Sequence, residues 1–93
     1  LETWQTIHNT GDDVLEINRV DSCALNIPKA SYSLLYYTGA WGREFEGIEV
    51  SLEHTICIDS KTGRSSKGHH PWFALTKKDG SVLSGSVAWS GNW

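Results

Sequence analysis

PWFALTKKDGSVLSGSVAWS, residues 71–90, decides the fold class. Two runs rich in β-branched and aromatic residues flank Lys78-Asp79-Gly80, and Asp-Gly suits the tight turn whose twist matches that of paired strands. The stretch therefore predicts an antiparallel hairpin. Pro71 opens the first arm, where a missing N–H removes no ladder bond. Gly85 interrupts the second arm and predicts either a bulge or a point of close approach.

Immediately upstream, GRSSKGHHPWF (residues 63–73) gathers two basic residues, a hydroxyl pair, a His pair, a proline and two aromatics. It reads either as a binding loop or as a structural crossover into the strand that Pro71 opens. Farther upstream, IEVSL (48–52) alternates with Ile48, Val50 and Leu52 on one face, and Ile56 and Ile58 continue that alternation through residues 54–59. GREFEG (42–47) reads as a polar connection. LLYYTGAW (34–41) is apolar on both faces at first and reads as a central strand. LETWQTIH (1–8) and VLEINRV (14–20) flank the turn cluster Asn9–Asp13 and predict a hairpin, with DSCALNI (21–27) extending it toward Pro28. No segment supports a helix of three turns. Six to eight short strands without a substantial helix mean an all-β fold, an antiparallel β-sandwich.

Ninety-three residues fit one small domain or part of a larger one. An apolar content of 39% excludes a disordered chain, and five Trp, three Tyr and two Phe supply large rings for a small core. A net charge of −3 leaves no electrostatic footprint for nucleic acid, so no nucleic-acid partner is expected. No apolar run approaches the roughly 18 residues of a membrane span and no signal peptide is read, so no membrane partner is expected either. The chain has no methionine, which predicts a processed or excised product. Cys23 and Cys57 each sit in an apolar strand-like run and read as free, buried thiols. An immunoglobulin-type bridge is rejected, because the two are too close in sequence and Trp41 lies nearer the second.

Glu44 and Glu46 flank Phe45 and would share a strand face, their Cα atoms about 6.6 Å apart, a spacing open to an acid pair. Alternating charges beside one apolar residue read better as a solvated face. Glu49, Glu53 and Asp59 read the same way. His69 and His70 are adjacent and cannot both turn to one metal in extended backbone, and neither His8 nor His54 brings a zinc-like spacing. No metal site is read. Ser65-Ser66 near His69 lacks the strand-to-helix elbow of a nucleophile, and the glycines precede no helix that would cradle phosphate. Trp41, Trp72, Trp89 and Trp93 lie at or near predicted strand ends. They read either as core and interface rings or as platforms for sugar faces.

WGREFEG (41–47), GRSSKGHHPWFAL (63–75) and GSVLSGSVAWSGNW (80–93) resemble, in this order, the N-terminal β-sandwich domain of family thirty-six α-galactosidases. The opening, ETWQTIHNTGDDVLEINRVDSCALNI, resembles that domain's strand pair. The family's aromatic followed by Arg and Glu is matched by Trp41, Arg43 and Glu44. Its Gly-Arg, two hydroxyls and proline are matched by Gly63, Arg64, Ser65, Ser66 and Pro71. Lys67 stands where the family carries His, His70 where it carries Asn, and Trp72 where it carries Phe.

The resemblance implies a supersandwich-like domain, or part of one, excised from the N-terminal domain of a larger enzyme. Family members hydrolyse terminal α-galactosides such as melibiose and raffinose through two aspartates of a separate (β/α)₈ barrel. The Lys-Trp-Asp nucleophile motif is not in this sequence. The chain is thus expected to be non-catalytic, to need no cofactor, and to pack on the barrel of the same polypeptide within a homo-oligomer. An α-galactoside would be the substrate of the full-length enzyme, in the cytoplasm of a bacterial-type cell. Trp41, Arg43, Arg64, His70 and Trp72 are the expected carbohydrate or interface contacts, with Arg43 and Arg64 as buried ion-pair or carbonyl ligands. A free-standing carbohydrate-binding module using Trp41, Trp72 and Trp89 is the alternative.

Overall fold

The computed structural model describes residues 2, 4–21, 23–64 and 66–93. Leu1, Thr3 and Ser22, read as parts of the first hairpin and its extension, and Ser65 of GRSSKGHHPWF lie outside the described residues. Among the described residues four strands form: β1 Tyr32–Ala40, β2 Arg43–Ser51, β3 Gly68–Lys77 and β4 Val82–Ser86. They make one sheet in the order β2-β1-β3-β4, with each neighbouring pair antiparallel. Among the described residues there is no helix. The all-β class and antiparallel pairing stand as expected, but these residues build one four-stranded sheet rather than two layers of six to eight strands.

β1 is the Tyr- and Leu-rich run, and it lies inside the sheet as its two-sided apolar pattern predicts. GREFEG is not a connection. Its residues 43–47 are the first half of β2, and Gly42 with Trp41 makes the two-residue turn from β1. The β3–β4 hairpin forms around Lys78, Asp79 and Gly80, with the Lys77 N–H donating to the Ser81 carbonyl at 2.9 Å. Gly80 has φ 84°, which a three-residue hairpin loop requires of its last residue.

Pro71 is the fourth residue of β3, not its first. The Val87 N–H donates to the Pro71 carbonyl at 2.9 Å, so Pro71 turns its backbone toward β4. Having no N–H, it returns no bond, and β4 ends at Ser86 although the apolar pattern runs on to Trp89. Gly85 faces Phe73, and a Cβ built there would lie 2.6 Å from Phe73 Cε1. Of its two expected meanings, close approach is the one realised.

Residues 4–8 and 14–20 do not form the expected hairpin. The turn is present, with Asn9 Nδ2 donating to the Asp13 carbonyl at 2.8 Å and the Gly11 N–H to Asn9 Oδ1 at 3.0 Å. The arms remain unpaired and exposed, with Val14 at 99%. A two-stranded hairpin with nothing beneath it is marginal in water, so strand-forming sequence does not suffice. Residues 54–59 likewise form no strand. Because β2 and β3 flank β1 and both run against it, residues 52–67 must cross β1 to reach the start of β3. Cys23 and Cys57 are free as expected but exposed rather than buried.

Little of the sheet is deeply buried. Leu34 at 6% and Leu75 at 9% lie on one face, and Ala74 at 4% on the other. Gly85→Ala is expected to lower stability by about 1–3 kcal/mol through overlap with the Phe73 ring. Urea titration checks this against Ser84→Ala, and equal midpoints would refute the close-approach account.

Asp79 provides a pH signature. Hydrogen bonds from the Ser81 side chain and backbone N–H, then from Lys77, hold its carboxyl at about 2. A folded value below the ordinary one means that the stabilisation is present above about pH 4 and is lost as pH falls toward the folded value. Acid titration is expected to weaken the hairpin between about pH 4 and 2, and Asp79→Asn to remove that part of the profile.

Candidate functional site

At Tyr37 and Gly39 both neighbours of β1 lose simple register. Between the pairs Thr38↔Glu46 and Ala40↔Arg43, Gly39 alone faces Glu44 and Phe45 of β2. Between Tyr36↔Phe73 and Thr38↔His69, Tyr37 alone faces His70, Pro71 and Trp72 of β3. These bulges re-aim side chains toward a common point. Phe45 takes φ 59°, left-handed backbone that a bulky residue rarely adopts. It stacks on His70 with ring centroids 4.3 Å apart. Tyr37 meets the stacked pair edge-on, 6.4 Å from Phe45 and 6.5 Å from His70, and lies 5.5 Å from Trp72.

Gly39 completes the arrangement by having no side chain. A Cβ there would lie 2.7 Å from the Ser66 carbonyl oxygen and 3.0 Å from His70 Nε2. His70 Nε2 is itself buried with no hydrogen-bond partner, so ring contacts rather than a polar bond hold this imidazole. The close approach of Ser66 also brings the loop before β3 to the Trp41 end of the sheet.

Ser60 organises that loop. At 2% exposure it is the most buried side chain among the described residues. Its hydroxyl shares one proton between the carbonyls of Arg64 at 2.5 Å and Lys67 at 3.0 Å. Its backbone exchanges two bonds with Trp93, at 2.9 and 3.0 Å, and the Gly63 N–H donates to Asn92 Oδ1 at 2.6 Å. His69 turns the opposite way from His70, toward Tyr36, with Nδ1 2.9 Å from the Asp59 carbonyl oxygen. Donation there places the proton on Nδ1, so the Asp59 N–H at 3.4 Å cannot be accepted by the same atom.

Of the five expected contact residues, Trp41, Arg43 and His70 lie toward the β1–β2 turn end of the sheet, Trp72 lies at the middle of β3, and Arg64 lies in the loop before it. Trp41 caps the β1–β2 turn at 98% exposure, Arg43 begins β2, Arg64 lies in the loop before β3, and His70 and Trp72 lie along β3. His70 and Trp72 meet through Tyr37. Within this chain both arginines are exposed. Arg43 pairs with Glu46 at 2.8 Å, and Arg64 offers its carbonyl to Ser60 rather than its guanidinium to a buried acid. That ion pair, with the bulge at Glu44–Phe45, also removes the shared-face geometry of an acid pair. Tyr37 and Phe45 were not singled out from sequence; the signal at Phe45 was an aromatic held between two glutamates. Among the described residues no His, Cys, Asp and Glu group could hold a metal.

Residues 1–93 match the Glycosyl hydrolase family 36 N-terminal domain along their whole length. The chain belongs to this family. The family 36 domain is 31% identical over 105 residues to alpha-galactosidase AgaA of Geobacillus stearothermophilus, covering 99% of this chain and 14% of the relative. It is 26% identical over 98 residues to an alpha-galactosidase of Escherichia coli, covering 99% and 14%. Alpha-galactosidase 2 of Pediococcus pentosaceus is 28% identical over 97 residues, covering 95% and 13%. The domain therefore spans a small share of each of these relatives. No solved structure matches it. Its four antiparallel strands do not make a (β/α)₈ barrel, which needs eight parallel strands.

Ser60→Ala is expected to cost about 1–3 kcal/mol by removing the hydroxyl donor that the Arg64 and Lys67 carbonyls share. Ser60→Thr keeps the hydroxyl and separates the lost bond from the added methyl. Thermal midpoints of both variants check this, and a fully stable Ser60→Ala would refute the role given to the hydroxyl.

Proposed function

We propose that this family 36 domain is the non-catalytic N-terminal part of an α-galactosidase acting on terminal α-galactosides of the melibiose and raffinose type. In this reading it is a β-sandwich domain or a portion of one, whose second layer lies outside the four strands. It packs on the (β/α)₈ barrel of the same polypeptide and supports contacts between subunits of a homo-oligomer. The observation that carries the reading is coverage: 99% of this chain matches 14% of a protein named an alpha-galactosidase. Two exposed thiols fit a reducing compartment, and the reading takes the protein to be cytoplasmic.

The aromatic end of the sheet supplies the contact surface. Trp41 at 98% and Phe45 at 70% exposure present rings beside Arg43, with Arg64 in the neighbouring loop. Large rings and Arg suit a surface that becomes buried against a partner. The same exposed rings favour a second reading, a carbohydrate-binding module, because flat rings stack on sugar faces.

The isolated chain is expected to release no chromophore from p-nitrophenyl α-galactoside, whereas the full-length gene product does. Turnover by the isolated chain that survives repurification would overturn the assignment. Saturable quenching of Trp fluorescence by melibiose in the isolated chain, lost in Trp41→Ala, would select the binding-module reading.

A further inference from the structure

Residues 60–68 form a polar loop held more firmly than its composition explains. SKTGRSSKG contains no hydrophobic side chain, so no apolar burial offsets the conformational entropy lost in ordering it. It is fixed nonetheless. The Ser60 hydroxyl holds the Arg64 and Lys67 carbonyls, the Ser60 backbone pairs in both directions with Trp93, and Asn92 Oδ1 accepts from the Gly63 N–H at 2.6 Å. Gly63 takes φ 73°, and the Lys67 N–H closes a turn onto the Arg64 carbonyl at 3.4 Å. Arg64 and Lys67 therefore stand at the two ends of one turn, which brings such ends within about 7 Å.

What the loop presents is charge. Arg19, Arg43, Lys61 and Lys77 each pair with a carboxylate of the chain. The Arg64 guanidinium and the Lys67 ammonium are exposed and meet no partner among the described residues. No Asp or Glu occurs between residues 60 and 78, although the whole chain carries a net charge of −3. Two unneutralised cations at the ends of a preset turn suit one oxyanion. The Arg fork matches the two oxygens of a carboxylate, and Lys adds a point charge beside it.

We propose that Ser60 and Asn92 are positioning residues that preset Arg64 and Lys67 as a two-cation grip for a carboxylate of the same polypeptide outside residues 1–93. The grip rests on the reading of the chain as part of a longer α-galactosidase, and it gives the chemistry of the contact that Arg64 makes there. Coverage of only 14% of the relatives leaves most of such a polypeptide beyond this domain, and a tethered carboxylate is present at high effective concentration. A turn already fixed before the contact forms has little further freedom to lose when it does.

Thermal midpoints of the full-length gene product test this. Arg64→Gln is expected to lower the midpoint by several degrees, and Lys67→Gln by less, because the Arg fork supplies the paired contacts. Asn92 is exposed, so Asn92→Ala loosens the turn without opening the core. Its shift is expected to fall to about half or less once Arg64→Gln is present, the coupling of residues that act through one contact. A merely structural clasp gives the same Asn92→Ala shift in both backgrounds; that result, or an unshifted Arg64→Gln, would overturn the grip. A midpoint that rises with protein concentration in the unaltered protein, but not in Arg64→Gln, would assign the carboxylate to a second copy and overturn the choice of partner. A rise on adding inorganic phosphate at constant ionic strength, lost in Arg64→Gln, would overturn it in favour of a free anion. Turnover of p-nitrophenyl α-galactoside is read separately. Turnover with uncoupled variants sinks the grip alone, and coupling without turnover sinks the α-galactosidase reading alone.

Discussion

The backbone ladder of β1 is the interaction on which the rest of this structure depends. Apolar burial is sparse, with Leu34, Ala74 and Leu75 as the buried hydrophobic side chains among the described residues. Each ladder bond is worth only about 0.5–1.5 kcal/mol net, so no single one holds the sheet. Pairing on both edges nevertheless fixes where β2 and β3 run. The crossover, the Ser60 clasp and the aromatic cluster all follow from that placement. Where the ladder loosens, at Tyr37 and Gly39, side chains become free to converge.

That local loosening shapes what sequence can reveal. The β3–β4 hairpin was legible because Asp79-Gly80 encodes its own turn, and β1 because a two-sided apolar run needs neighbours on both sides. GREFEG was misread because its charges face solvent from an edge strand, where they look like a connection. Residues 4–20 were misread for the opposite reason, since their local signals are sound but depend on a partner surface. The end of β4 required knowing that Pro71 lies opposite Val87, a fact of register rather than of either segment.

The candidate site was half legible. His70 and Trp72 stand out by type, and Trp41 by its place beside a glycine at a strand end. Nothing local marks Tyr37 as their meeting point, because its role follows from two bulges on different partners. Phe45 is the more telling omission. Left-handed backbone at a bulky residue costs of order 1–3 kcal/mol, and the stack on His70 is the contact that offsets it. The arginines are exposed in this chain, because charge type says what a side chain can bind, not which element covers it.

Pro71 has a consequence for fidelity of assembly. Sliding β4 along β3 by two residues would keep every side chain on its own face, so hydrophobic patterning does not oppose it. Such a slide would draw Pro71 inside the ladder opposite Gly85, where a carbonyl would find no donor. It would also separate Phe73 from the glycine that makes room for its ring. One imino acid and one missing Cβ therefore serve as a mechanical stop, selecting a single alignment from a set that polarity alone would leave degenerate.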